Sequence, residues 1–165
     1  MKALFITLEE LKRKSIIDGN VDTDKLIQFV EVAQDTYIQT QLGTKLYEKL
    51  QDGIINNNLS NVNAALVNTY IKPMLIWFSQ SEYMKFAAFQ IGNGGVFKHR
   101  SENSDSASQD EINNLVHQAK TTADFYTQRF IDYMGENSEL YPEFTENQDG
   151  GMYPERDQNM TGWVL

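Results

Sequence analysis

Residues 108–134 read SQDEINNLVHQAKTTADFYTQRFIDYM, and this stretch decides the fold class. Its apolar residues recur at intervals of three and four, which is the spacing of one face of an α-helix. Ser108 and Glu111 have the spacing of a capping box, which marks a helix start, and Gly135 predicts the helix end. The expected inward face is Ile112, Leu115, Val116, Ala119, Ala123, Tyr126, Phe130 and Met134. The stretch therefore predicts a long helix that buries one face.

Three more helices are indicated in the first third of the chain. Thr7 and Glu10 form a second capping box, Asp22 or Thr23 caps a longer helix, and Gly43 suits the position after its end. The expected ranges are 7–15, 22–42 and 44–52. The inward face of the longer helix is Leu26, Phe29, Val30, Ala33 and Tyr37. These patterns are helical in period and leave little room for strands.

Residues 60–91 are apolar on nearly every side, which is typical of a helix at the centre of a bundle. Pro73 lacks a backbone donor and its ring clashes with the preceding turn, so a kink or break is expected near Lys72. The fold class is therefore all-α, a compact helical bundle. Residues 1–135 are expected to form the helical domain, and residues 136–165 an extended acidic C-terminal arm.

A long polar loop separates the two central helices. Residues 92–111 read GNGGVFKHRSENSDSASQDE, with few apolar side chains besides Val96 and Phe97. Such a loop stays exposed, because its backbone polar groups need water or a partner. Residues 95–99 could form a small β-hairpin with residues 101–104. Because the loop carries no catalytic pattern, we interpret it as a contact element.

The composition excludes several classes of protein. The 165-residue chain is 41% hydrophobic, as expected for one globular domain, and its lack of cysteine excludes disulfides and thiolate metal sites. Its net charge of −9 argues against a primary nucleic-acid binder, which needs Lys and Arg to neutralise phosphates. The N-terminal apolar run meets acids too early for a secretory signal, and no run is long enough to span a membrane. We expect a soluble protein.

The negative charge is concentrated near the C-terminus. Residues 136–157 contain seven acids and one base, Arg156, and so hold six of the nine net negative charges. One interpretation is a solvated tail that aids solubility. The other is an interaction arm, since apolar residues are threaded through the acids. They are Leu140, Tyr141, Phe144, Met152, Tyr153 and Trp163.

No motif for catalysis or metal binding is complete. Residues 18–24 place oxygens as in a calcium loop, but Thr23 replaces the turn glycine and Phe29 the closing Glu. His99 and His117 lie in no zinc or di-iron frame. Phosphate-loop and nucleophile-elbow motifs are also missing. The sequence predicts no enzyme activity and no cofactor.

Four stretches resemble the head–tail connector (adaptor) proteins of tailed bacteriophages, particularly a family in phages of Bacteroidetes hosts, including crAss-like phages. The first is residues 5–11 together with the helix at 26–42 and GTKLY at 43–47. The second is the loop GGVFKHRSENS at 94–104 with Ala107-Ser108. The third is the helix ADFYTQRFIDYM at 123–134, and the fourth is YPEF at 141–144. Together they span most of the chain, and the loop and YPEF are its more specific parts.

The resemblance implies a non-enzymatic virion protein that forms a ring, with twelve copies expected, beneath the portal vertex. The ring extends the DNA channel, through which the genome passes without specific binding, and it docks neighbouring connector or tail proteins. Before assembly the subunit would be soluble in the host cytoplasm. The expected contact residues are Val96, Phe97, Lys98, His99, Arg100, Tyr141, Pro142, Phe144, Tyr153 and Trp163. The alternative is a small helical binding or regulatory module of a phage or bacterium.

Overall fold

The structure, a computed structural model, describes residues 2–17, 19–87, 89–92, 95–98, 107–146 and 151–155. It is an all-α bundle with one small hairpin. The helices are α1 (Leu8–Lys14), α2 (Thr23–Ala33), α3 (Gln39–Leu42), α4 (Thr44–Ile55), α5 (Asn61–Leu66), α6 (Lys72–Met84), α7 (Gln109–Asn137) and α8 (Pro142–Thr145). The strands are β1 (Phe89–Gly92) and β2 (Gly95–Lys98). The expected fold class is confirmed.

The capping boxes form in different ways. At α7, Ser108 Oγ accepts from the Glu111 N–H, and Glu111 Oε2 accepts from the Ser108 N–H, as expected. At α1, Thr7 Oγ1 accepts from the Glu10 N–H at 3.1 Å. The Glu10 carboxylate instead pairs with Lys14 at 2.7 Å and Lys72 at 2.8 Å. Two ammonium groups bind a carboxylate more strongly than one backbone N–H, so only half of the expected box forms.

Two π-helical turns interrupt the helices. The first, Gln34–Ile38, joins α2 to α3, and the second, Val67–Ile71, joins α5 to α6. The second turn ends at Ile71, two residues before Pro73, which is the second residue of α6. A wider turn accommodates the proline ring and its missing N–H without ending the helix. The feature expected near Lys72 is therefore a π-helical turn inside a continuous helical segment.

One hydrophobic core joins nearly all the helices. It contains 22 buried residues, and α7 packs mainly along α6. Its largest fully buried members include Leu11, Ile38, Leu42, Leu46, Leu50, Leu66, Met74, Phe78, Phe130 and Tyr141. Five residues of the expected face of α7 are buried, namely Ile112, Ala119, Ala123, Phe130 and Met134, and Thr127 is buried as well. Val116 and Tyr126 are half-buried, and Leu115 is exposed. Thr127 meets its hydrogen-bonding need locally, by donating to the Ala123 carbonyl at 2.9 Å.

The C-terminal part departs from the sequence-based expectation. Helix α7 continues past Gly135 to Asn137, and a 3-10 turn, Ser138–Leu140, leads into α8. Gly135 lies within the helix, so the helix end expected at Gly135 is wrong. Helix α8 is fixed on α4 by ion pairs from Lys49 to Glu143 at 2.6 Å and from Lys45 to Glu146 at 2.8 Å.

A short extended segment then crosses the turn between α3 and α4. We call residues 151–155 the C-terminal strap. Its backbone bonds link Met152 with Thr44, at 2.8 and 3.0 Å, and the Glu155 N–H with the Thr40 carbonyl at 2.8 Å. Pro154 is buried there. The described parts of the expected arm are thus packed on the bundle.

Candidate contact surface at the hairpin end of the bundle

The hairpin follows directly from the end of α6. After Met84, a turn is held by N–H groups of Phe86 and Ala87, which both donate to the Tyr83 carbonyl at 3.0 Å. The Phe89 N–H then donates to the Phe86 carbonyl at 2.9 Å, and β1 begins. These bonds fix the direction in which the hairpin leaves the bundle.

Aromatic side chains support this turn from α2. The rings of Phe29 and Phe86 stack at 5.7 Å, and Phe29 meets Tyr83 edge-to-face at 5.6 Å. Aromatic pairs in such geometries stabilise by about 0.5–1.5 kcal/mol beyond the area they bury. Phe86 is nevertheless 52% exposed. Its ring is therefore held in place while much of its surface faces solvent.

A buried carboxylate braces the same end of α6. Glu82 Oε1 accepts from the Tyr37 hydroxyl at 2.7 Å and from Lys85 at 2.6 Å. Burial opposes ionisation of Glu82, but the two hydrogen bonds and the lysine charges outweigh it, so its pKa lies below the usual value. Burial and the Glu82 carboxylate raise the pKa of Tyr37. Tyr37 is in the first π-helical turn and stacks on Phe78 of α6 at 4.1 Å, so these contacts connect that turn to α6.

The hairpin adds two further exposed apolar side chains. Strands β1 and β2 pair antiparallel, with Phe89 opposite Lys98 and Ile91 opposite Val96. Phe89 and Val96 therefore lie on one face of the hairpin, because residues two apart and residues directly opposite share a face. Phe89 is 37% and Val96 66% exposed. We call Phe86, Phe89 and Val96 the hairpin surface.

The predicted hairpin exists, but with a different partner strand. The sequence predicts that residues 95–99 pair with residues 101–104, whereas β2 pairs with β1. The sequence pattern places most of β1 in the preceding helix, which is expected to extend through residue 91. Val96, Phe97 and Lys98 lie in β2, and Val96 is exposed as expected for a contact residue. His99 and Arg100 lie outside the described residues, as do residues 101–104.

Two expected contact residues of the C-terminal region are core residues. Tyr141 is 1% and Phe144 6% exposed. The Tyr141 hydroxyl lies 3.1 Å from that of Tyr133 and donates to the Val62 carbonyl at 3.3 Å, while Phe144 meets Phe130 edge-to-face. They fix the chain end on its own bundle, which corrects their expected role as partner contacts.

The other expected contact residues of this region differ in position. Pro142 is exposed at the start of α8, and Tyr153 is 54% exposed on the C-terminal strap beside exposed Met152. Trp163 lies outside the described residues. The strap thus offers a second exposed apolar pair, on a different element from the hairpin.

A polar cleft of about 650 Å³ lies between α4, the loop after it and α8. Its charged lining residues Lys45 and Lys49 are already paired with Glu146 and Glu143. Among the described residues, no group of three His, Asp or Glu side chains is placed to hold a metal ion. Glu48 and Asp52 also line the cleft, but the described carboxylates there form no coordinating cluster.

Sequence reasoning missed Phe86 and Phe89, because the apolar run through residue 91 was assigned to one buried helix. The available signal was Asn93-Gly94, the dipeptide most favoured between hairpin strands, with short apolar runs on both sides. This dipeptide predicts that residues 89–92 pair with residues 95–98.

The fold and this surface define an all-α bundle that presents an apolar hairpin. Residues 38–152 match the family of unknown function DUF6712, so the chain belongs to that family. No curated protein and no solved structure shows significant similarity to the chain. Within the described residues, no helix has the length and apolarity needed to cross a bilayer.

Proposed function

We propose that this chain is a structural subunit of a bacteriophage head–tail connector. In this role it forms a ring beneath the portal, extends the DNA channel and docks tail components. The proposal assigns it no catalytic activity and no cofactor. Its work is to make contacts with copies of itself and with neighbouring virion proteins.

The observation that carries the proposal is the hairpin surface. Phe86, Phe89 and Val96 are exposed on an element that leaves the bundle between its two long central helices. A monomer gains little from holding three apolar side chains in solvent on an ordered projection, whereas an interface gains from each of them. The aromatic support from Phe29 and the Glu82 brace hold this surface in a defined direction, which lowers the entropy cost of binding.

The resemblance to connector proteins supports the same function from the sequence. One of its more specific stretches, residues 94–104, includes β2, and the other, residues 141–144, fixes α8 on the core. The net charge of −9 also suits a channel wall, since negative charge does not retain passing DNA. Tyr153 and Met152 on the strap provide a second exposed pair for a further component.

Assembly with a portal protein from the same genome tests the proposal. The two proteins are purified separately and combined, and mass photometry and negative-stain imaging record the species formed. The expected result is a ring of this chain bound to one end of the portal. A chain that remains a monomer or dimer and does not bind the portal would contradict the proposal and favour the small binding module.

A further inference from the structure

The two strands of the hairpin form a sheet by themselves. In the part of the chain that the structure describes, no third strand pairs with the outer edge of β1 or of β2. Most contacts of each strand are with the other strand. A two-stranded hairpin is marginally stable in water unless a third strand or a packed surface supports it. This hairpin therefore gains stability from any strand that pairs with its edges.

The edge of β1 is short, but it carries no charge or proline that would block such pairing. Natural edge strands are protected by charged residues, prolines or bulges. Strand β1 reads Phe89-Gln90-Ile91-Gly92 and contains no charge and no proline. Strand β2 has one charged residue, Lys98, at its end. Both edges are thus open to main-chain pairing.

We propose that the hairpins of neighbouring copies pair edge to edge, with β1 of one copy beside β2 of the next. This inference rests on the proposed ring and names the contact that closes it. Both edges belong to strands of four residues and run in opposite directions, so the hairpins continue one antiparallel sheet from copy to copy. A contact between two different surfaces generates a ring when the rotation closes, and a closed sheet has no free edge.

The charge distribution favours a second copy at this position. Two chains of net charge −9 repel each other when they approach. Residues 89–98 contain no acid and one lysine, so the hairpin is a segment where two copies meet without adding carboxylate repulsion. Phe89 and Val96 lie on one face, and adjoining copies would extend that apolar face along the sheet.

Cysteine cross-linking tests this pairing without background, because the chain has no cysteine of its own. One pool carries Phe89→Cys or Ile91→Cys in β1 and a large tag, and a second pool carries Val96→Cys or Lys98→Cys in β2 and a small tag. The pools are mixed, assembled and oxidised. At least one β1–β2 pair should give the mixed disulfide in several-fold excess over either homodimer, because paired strands bring α-carbons within disulfide range.

The control is Val62→Cys, which lies in the first turn of α5. The helical segment from Asn61 to Met84 is about 35 Å long, and the hairpin follows its far end. A Val62→Cys pool should give no mixed disulfide with either β1 variant. Circular dichroism of each variant verifies that it folds.

The outcomes separate this inference from the proposed function. Rings that form on the portal without the mixed disulfide would overturn the edge pairing and leave the connector function standing. Predominant β1–β1 or β2–β2 disulfides would also overturn it. Mixed disulfides in oligomers that do not bind the portal would support the pairing and contradict the connector. An absence of both cross-links and higher-order species would contradict both.

Discussion

Gly43 and Pro154 are in such close contact that a Cβ on Gly43 would lie 2.8 Å from the Pro154 Cδ. Gly43 also has φ of +72°, a conformation that residues with a Cβ rarely adopt. The glycine thus ends α3, turns the chain into α4 and leaves space for the C-terminal strap. Gly43, near the start of the family-matching region, thus lies against Met152, where that region of residues 38–152 ends.

Replacing Gly43 with alanine should destabilise the protein by about 1–3 kcal/mol, because it adds backbone strain and a clash with Pro154 and the Met152 carbonyl. Urea unfolding measures the change. Limited proteolysis should also show faster cleavage within the C-terminal strap, residues 151–155. Gly135→Ala is the matched control, because a Cβ there meets nothing within 4 Å inside a helix. It should stabilise by about 0.5–1 kcal/mol, and equal effects of the two changes would contradict the role of Gly43.

Truncating Phe130 to alanine should cost about 3–5 kcal/mol of unfolding free energy, since its ring is fully buried between the core and Phe144. Phe125, five residues earlier on α7, is 60% exposed. Phe125→Ala should change stability by only about 0.5 kcal/mol. Thermal or urea unfolding of both variants measures the difference, and a loss at Phe125 equal to that at Phe130 would show that α7 buries another face.

Replacing Glu82 with glutamine should lower stability at neutral pH, because the carboxylate is hydrogen bonded by Tyr37 and Lys85. The pKa of Glu82 is lower in the folded protein than its ordinary value of 4.5. Its ionised form therefore contributes stability that is present above pH 4.5 and is lost as the pH falls through the folded-state pKa. The difference between wild type and Glu82→Gln should accordingly shrink in acid, as measured by urea unfolding across that range.

Asp124 provides the control with the opposite sign. Burial raises the pKa of Asp124 despite the nearby Lys120 and His117. Its ionisation then costs stability at neutral pH, and this cost disappears as the carboxyl becomes protonated. Asp124→Asn should be at least as stable as wild type at pH 7. A loss of stability at pH 7 comparable to that of Glu82→Gln would contradict this assignment.

An acid on the hairpin surface should prevent assembly while leaving the fold intact. Val96→Asp puts a charge on an exposed apolar position, so the unfolding free energy should change by only about 0.5 kcal/mol. Mass photometry with the portal should show loss of the ring, because the charge would be buried unpaired at a contact. Val62→Asp, also exposed but at the other end of the helical segment, should assemble normally. If the Val96→Asp variant still forms rings, the hairpin surface is not the contact between subunits.

Local periodic signals were enough to predict much of the bundle. The face of α7 from Ile112 to Met134 is set by a spacing of three and four, and Asp22 and Ser108 cap their helices as expected. Gly43 was placed correctly because positive φ after a helix selects glycine. These features depend on residues close together in the chain, which is why the sequence alone reveals them.

The features that were missed depend on distant residues. Tyr141 stands among acids that favour solvent, but its hydroxyl meets Tyr133 and the carbonyl of Val62, which is 79 residues away. Strand β1, by contrast, had a local signal in Asn93-Gly94, but the apolar run before it continues the helical pattern of α6 and conceals the strand. Composition and periodicity do not specify which distant groups will meet.

Each of the two π-helical turns contains one residue more than an α-helical turn would. In each, the next helix starts with an N–H bonded five residues back, from Gln39 to Gln34 and from Lys72 to Val67. Deleting one residue within a turn would restore α-helical winding, with little rotation of the helix beyond it, because the wider turn accommodates one extra residue. In the first turn, such a deletion would move Gln34 and Tyr37 out of phase with each other. Gln34 holds the N-terminal segment through the Phe5 N–H and the Ala3 carbonyl, and Tyr37 bonds Glu82. Homologues that lack this residue would need a different way to join the N-terminal segment to the helix that carries the hairpin.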